Sequence, residues 1–194
     1  MKRLSPLSAV LIVLLLTGCG GNDYTPKPTA YLRIDLPEKH YTLYDTTALP
    51  FTFERGGDCE VVWKRDKRNE KWIDLYYPRL RGVVYLSYKF IHGIDDMRAQ
   101  IDTSYKFLSM HFDHSSGIDE RQYFDADNHV YASTSQLHGT HVASTYQFWA
   151  TDSSSHFLRG SLYLDHTPNN DSLAPVIEYL QADIDHLIET LRWR

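Results

Sequence analysis

Residues 71–90, KWIDLYYPRLRGVVYLSYKF, decide the fold class. Residues 71–77 and 82–90 are β-branched and aromatic runs, and the Pro78-Arg79-Leu80-Arg81 segment between them is a turn. A connection this short joins antiparallel neighbours, because a parallel crossover needs a dozen residues or more. Within Val83-Val84-Tyr85-Leu86-Ser87-Tyr88 both alternating faces are apolar, so this strand is expected to be covered on both sides.

The same pattern continues toward the N-terminus. Residues 49–54 and 60–64 read as strands, bounded by Gly56-Gly57-Asp58 and by the polar turn 65–70. Beyond residue 90 the period changes. Ile94, Met97, Ile101, Tyr105, Leu108 and Phe112 step by three or four with charged residues between them, which predicts an amphipathic helix with Asp95 and Asp96 at its positive end. Residues 122–125, 130–135, 142–151 and 157–165 return to strands around the hairpin signals 126–129 and 152–155. A last helix is expected from the Asn169-Asn170-Asp171-Ser172 cap, with Pro175 in its first turn and Ile177, Leu180, Ile184, Leu187, Ile188 and Leu191 on one stripe. The expected fold is α+β: mainly an antiparallel sheet meander packed with two long helices, one helix per sheet face being the simplest way to cover both.

The chain has 194 residues and a formal charge of −5. Its first residues carry Lys2 and Arg3 followed by the aliphatic run 11–16, the n-region and h-region of a signal peptide. A membrane-spanning helix needs about 20 apolar residues, so this run targets the chain and does not span. Leu16-Thr17-Gly18-Cys19 resembles the bacterial lipobox, which implies cleavage between Gly18 and Cys19 and a diacylglyceryl group on the Cys19 thiol. An ordinary secretory signal with a chance cysteine is disfavoured by the placement of Cys19 directly after Thr17-Gly18. Several acyl chains of the palmitate kind make a stable anchor, at about 0.8 kcal/mol per buried methylene. The expected organisation is a signal peptide at 1–18, a lipidated tether rich in Gly and Pro at 19–30, and one globular domain at 31–194. The location that follows is the cell envelope, with the domain in the periplasm and the choice of inner or outer membrane left open. The acidic balance speaks against nucleic-acid partners. Cys59 alone remains beside Cys19, so the mature chain has no disulfide framework, and Cys59 is expected to be buried and inert.

Motifs for chemistry are sparse. Ten histidines raise the question of a metal. His138 and His141, three apart, fall on opposite faces of a strand and meet only in a loop, while His111 and His114 suit a helix C-terminus. Neither pair predicts a metal site, and no cofactor motif occurs. The run Asp125-Ala126-Asp127-Asn128-His129 begins like a calcium loop but has Val130 and Gln136 where Gly and Glu are needed, so it is read as a hairpin turn. Ser153, Ser154, Ser155 and His156 lie beside Asp152 without a nucleophile elbow, and no catalytic residue is assigned. Tyr76, Tyr85 and Trp149 are expected to fill a sheet surface, whereas Tyr31, Tyr41 and Tyr44 are candidates for a partner surface.

Several ordered blocks resemble one family. They are Pro26-Lys27-Pro28, the run 31–37 (YLRIDLP), the run 49–54 (LPFTFE), the run 72–89 (WIDLYYPRLRGVVYLSYK) and the run 156–193. Together with the lipobox they resemble the gliding motility lipoprotein GldD family. That resemblance implies a non-enzymatic accessory lipoprotein for gliding and the linked type IX secretion machinery, with protein partners there and the membrane bound through its N-terminal lipid. Only Cys19 carries over as a functional residue. The alternative is an envelope lipoprotein that binds a small ligand or glycan, or a hydrolase with an unrecognised site. A pocket in which two or more of His129, His138, His141 and His156 converge with a carboxylate would favour it.

Overall fold

The computed structural model describes residues 34–167 and 169–194. A seven-stranded sheet forms the body of the protein, and every neighbouring pair in it is antiparallel. Its first half is the meander β3 (Glu60–Lys67), β4 (Glu70–Tyr77) and β5 (Gly82–Phe90); its second is β6 (Gly117–Asp125), β7 (Val130–His138), β8 (Tyr146–Thr151) and β9 (His156–Leu164). The halves join where β5 pairs with β9, giving the order β3-β4-β5-β9-β8-β7-β6. Helix α1 (Ile94–Ser109) bridges them, and helix α2 (Asn170–Glu189) follows β9. A second sheet has β2 (Phe51–Gly56) between β1 (Tyr41–Tyr44) and β10 (Arg192–Trp193).

The core lies between α2, β2 and one face of the large sheet. Val84 and Leu86 stand opposite Leu162 and Gly160, and Ala150 opposite Leu158, so the ladder registers align the apolar positions of adjacent strands. Val176, Leu180, Ile184 and Leu187 of α2 pack into this cluster with Phe51 and Phe53 of β2. Gly160 is required there, because a Cβ on it would sit 2.0 Å from the Phe148 ring. The edges of the sheet are blunted by charge: β6 exposes Asp119, Glu120 and Arg121, and β3 carries Lys64, Arg65, Asp66 and Lys67 around a bulge. Such edges discourage pairing with another chain.

The antiparallel meander and the two helices agree with the sequence reading, and the layout differs in detail. A second, three-stranded sheet stands beside the meander, and the strand that α2 contacts most is β2 of that small sheet. Helix α1 ends at Ser109, before a short 3-10 turn at Phe112–His114, and does not run on to Phe112. Its expected apolar stripe is covered only in part. Leu108 is buried and Met97 and Ile101 are half-buried, whereas Ile94, Tyr105 and Phe112 are exposed and Ser104 is buried beside the stripe. The seat under α1 is polar, so a serine faces it in place of a ring. Pro175 is the sixth helical residue after the Asn169 cap, not a first-turn residue, and the helix absorbs it in its second turn. Asn169 makes no side-chain capping bond. Asn170 Nδ2 donates instead to the carbonyls of Gly139 and Val142, at 2.6 and 3.0 Å.

Candidate functional site

One buried carboxylate binds the N-terminal approach of the described chain to the C-terminal helix. Asp183 sits on α2 between Leu180 and Leu187, on the stripe that fills the core, and is only 3% exposed. A charge in that position needs a partner and further hydrogen bonds. Lys39 supplies the partner: its Nζ lies 2.5 Å from Asp183 Oδ1, donates to the Tyr179 carbonyl at 2.8 Å and stands 3.8 Å from the Tyr179 ring centroid. The Tyr41 hydroxyl, at the start of β1, donates to the same carboxylate oxygen at 3.3 Å. Its ring stacks on His186 with centroids 3.6 Å apart, and His186 Nε2 in turn lies 2.7 Å from Glu54 Oε2 on β2.

The strand ends make room for this cluster. A Cβ on Gly56 would come within 2.6 Å of Asp183 Oδ2, so β2 must end in glycine for the carboxylate to fit. Tyr77 and Cys59 complete the surroundings. Burial, more than the nearby charge of Asp183, pushes the Tyr41 hydroxyl up to about 12. Burial likewise pushes the Cys59 thiol up to about 11 and the Tyr77 hydroxyl far above its ordinary value. Cys59 is therefore a buried neutral thiol, as expected from the sequence. The arrangement is a clasp: it fastens β1, β2 and α2 to one another where the chain enters the domain.

The residues singled out by sequence fall into other roles. Gly18, Cys19 and Tyr31 lie outside the described residues. Tyr41 belongs to the clasp, and the Tyr44 hydroxyl accepts a hydrogen bond from Trp63 Nε1 at 3.3 Å, so both hydroxyls are engaged within the domain while the rings stay half-buried. Tyr76 and Tyr85 are on the sheet surface and line an open groove of about 550 Å³ with Lys64, Asp74 and Tyr163. Trp149 stacks on Phe157.

The histidines disperse. His138 pairs with Asp119 at 2.8 Å, and His111 stands 3.5 Å from the Tyr163 hydroxyl. His129, at a left-handed φ of 54° in the hairpin, accepts a bond from Trp193 Nε1 through its carbonyl. His156 is buried, stacks on Trp193 with centroids 5.2 Å apart and meets the Tyr88 hydroxyl at 2.9 Å. Burial holds its ring below the ordinary histidine value. Among the described residues no group of three or more His, Cys, Asp or Glu side chains is placed to hold a metal ion. The serines beside His156 form a turn: Asp152 Oδ1 accepts the backbone N–H groups of Ser154, Ser155 and His156 at 2.8–2.9 Å. Asp125 is engaged in the same way by Asn128, which is a hairpin turn and not a calcium loop.

Asp183 escaped sequence reading, although a signal existed. An aspartate at stripe spacing from Leu180 and Leu187 is a polar residue at a core position, and such a residue is there for a partner.

The family model for the gliding motility lipoprotein GldD matches residues 21–193. The chain belongs to the GldD family. This membership makes it a lipoprotein-family chain associated with gliding motility and with the cell envelope. No curated protein matches the chain. Among solved structures, cyanobacterial PsbP (CyanoP) from Synechocystis sp. PCC 6803 is similar at 10% identity and a TM-score of 0.49, covering 84% of this chain and 98% of its own. No helix among the described residues of this GldD-family chain is long and apolar enough to cross a membrane.

Proposed function

We propose that the protein is a lipid-anchored accessory factor of the gliding machinery and of the type IX secretion apparatus linked to it, working by position and binding and not by catalysis. The observation that carries this reading is the family match across residues 21–193, which starts just after the lipobox cysteine. Cys19 is the lipid-attachment residue, Gly18 the last residue removed, 19–30 the tether and 31–194 the working domain in the periplasm. The Lys39–Asp183 clasp suits this arrangement, because a domain held by its N-terminal side needs the entry segment fastened to its core.

Two measurements test the proposal. Cys19→Ala is expected to move the protein from the membrane to the soluble fraction or to leave the leader uncleaved; a variant that stays membrane-bound and fully processed would refute the anchor. Crosslinking in cells followed by affinity capture of the wild-type chain is expected to enrich gliding or secretion components, and enrichment no greater than with an unrelated lipoprotein would refute the partnership.

A further inference from the structure

The underside of α1 is a cationic seat without a counter-ion. Arg159, on β9, is half-buried, and the loss of part of its hydration pulls its guanidinium below the ordinary value. Among the described residues its partners are the Gln147 side-chain oxygen at 2.9 Å and the Phe107 ring at 4.7 Å; no carboxylate pairs with it. A guanidinium that gives up part of its hydration is best offset by a carboxylate, since an aromatic face and one amide oxygen replace little of it. The neighbouring polar atoms share the deficit. Gln147 turns its oxygen to Arg159, which leaves its Nε2 buried and unpartnered; Ser161, directly across the ladder from Gln147, has an unpartnered buried Oγ as well. Gln147 and Ser161 are 4% and 2% exposed. Arg159 is thus the charged group of this seat, and a carboxylate is the partner its guanidinium lacks.

Arg159 also lines an open cleft. It has a volume of about 180 Å³, and Arg159, Lys89, Ser87, Trp72, Phe107 and Phe157 line it. Lys89 has no carboxylate partner among the described residues. The cleft's single acid, Glu70, is already engaged by Arg65 at 3.0 Å and by Trp72 Nε1 at 3.2 Å. The cleft is thus positive in a chain whose formal charge is −5. Its walls pair hydrogen-bond donors with three aromatic rings.

We propose that this cleft binds an aromatic carboxylate, with Arg159 holding the carboxylate, Lys89 at the mouth and Trp72, Phe107 and Phe157 around the ring. The source is either a free small acid or the carboxylate of a C-terminal aromatic residue of a protein, and the two share this chemistry. The function proposed above does not depend on it.

The test uses the full chain in detergent with benzoate as probe, benzamide as its neutral counterpart and N-acetyl-phenylalanine as the peptide-end mimic. Binding is followed by calorimetry and by NMR shifts of the Trp72 indole. Benzoate or N-acetyl-phenylalanine is expected to bind saturably and shift Trp72, and benzamide is not; the tighter of the two acids identifies the source. Arg159→Gln is expected to weaken binding at least about tenfold, as loss of a charge-assisted hydrogen bond does. Lys89→Gln, at a partly exposed position that the fold does not need, is expected to weaken it about threefold. Should Arg159→Gln not fold, Lys89→Gln and the benzamide comparison decide alone. Equal binding of benzoate and benzamide, no Trp72 shift with either acid, or unchanged affinity in Lys89→Gln would overturn the assignment.

Discussion

At the scale of single residues, stability is concentrated where polar groups are buried. Removing Asp183 strands Lys39 and the Tyr41 hydroxyl together. Breaking a fully buried pair costs about 3–5 kcal/mol, and because Lys39 is a third exposed and can turn to water, Asp183→Ala is expected to cost about 2–4 kcal/mol. Chemical denaturation reads this directly, and a loss below about 1 kcal/mol would show that the pair matters little. A second residue links stability to pH. Burial lowers the folded-state value of His156 beneath the unfolded value of about 6.5, so the unfolded chain binds the proton more readily. The contribution is therefore fully present above pH ~6.5 and is lost as the pH falls through the folded value. His111 is lowered for the same first cause and has the same sign. Urea midpoints are expected to fall from pH 7 to pH 5, and His156→Phe to flatten that fall. An equal slope in the variant would place the linkage elsewhere.

At the scale of elements, burial pattern explains both what the sequence makes legible and what it hides. Strands β4, β5 and β9 and helix α2 alternate or repeat their apolar residues as their buried faces require, so period alone places them. Residues 117–121 of β6 escaped because Asp119, Glu120 and Arg121 lie on a solvent-exposed edge, where no hydrophobic period is imposed. β1 and β10 escaped because four and two residues are too few to show a period, and both exist only through pairing with β2. The clasp was hidden for a related reason: Lys39, Gly56 and Asp183 are far apart in sequence, and nothing local to any of them signals the others. The same dependence on distant partners makes β10 vulnerable. Trp193 rests on Phe51 and His156 and donates to the His129 carbonyl, so it ties the small sheet to the hairpin and to β9. Trp193→Ala is expected to cost about 2–4 kcal/mol, near the range for buried aromatic truncation. The melting temperature measures it, and Trp193→Phe should recover about half by restoring the stack without the N–H donor.

At the scale of the whole molecule, the order in which parts open follows from how they are held. The seven-stranded sheet, β2 and α2 share one core, whereas β1 joins it chiefly through its ladder to β2, the partly buried Tyr44 and the clasp; Leu43 at its centre is 58% exposed. A strand with so little apolar burial belongs to the low end of local stability, and it can detach while the core stays folded. Under the tethered arrangement proposed above, tension would reach the entry segment with Ile34 and Lys39 and then β1, and their release would lengthen the tether without unfolding the body. Lys39 would then contribute to the threshold, because it bridges the entry segment to α2 through Asp183 and the Tyr179 carbonyl. Native-state hydrogen exchange is expected to show residues 41–44 opening below the global unfolding free energy. Lys39→Ala is expected to speed their exchange by about tenfold, equivalent to about 1.4 kcal/mol, and to leave the β5 and β9 amides at the global rate set by the core. A uniform acceleration across all strands would mean that β1 opens only with the whole domain, and the entry segment could then yield to tension only by global unfolding.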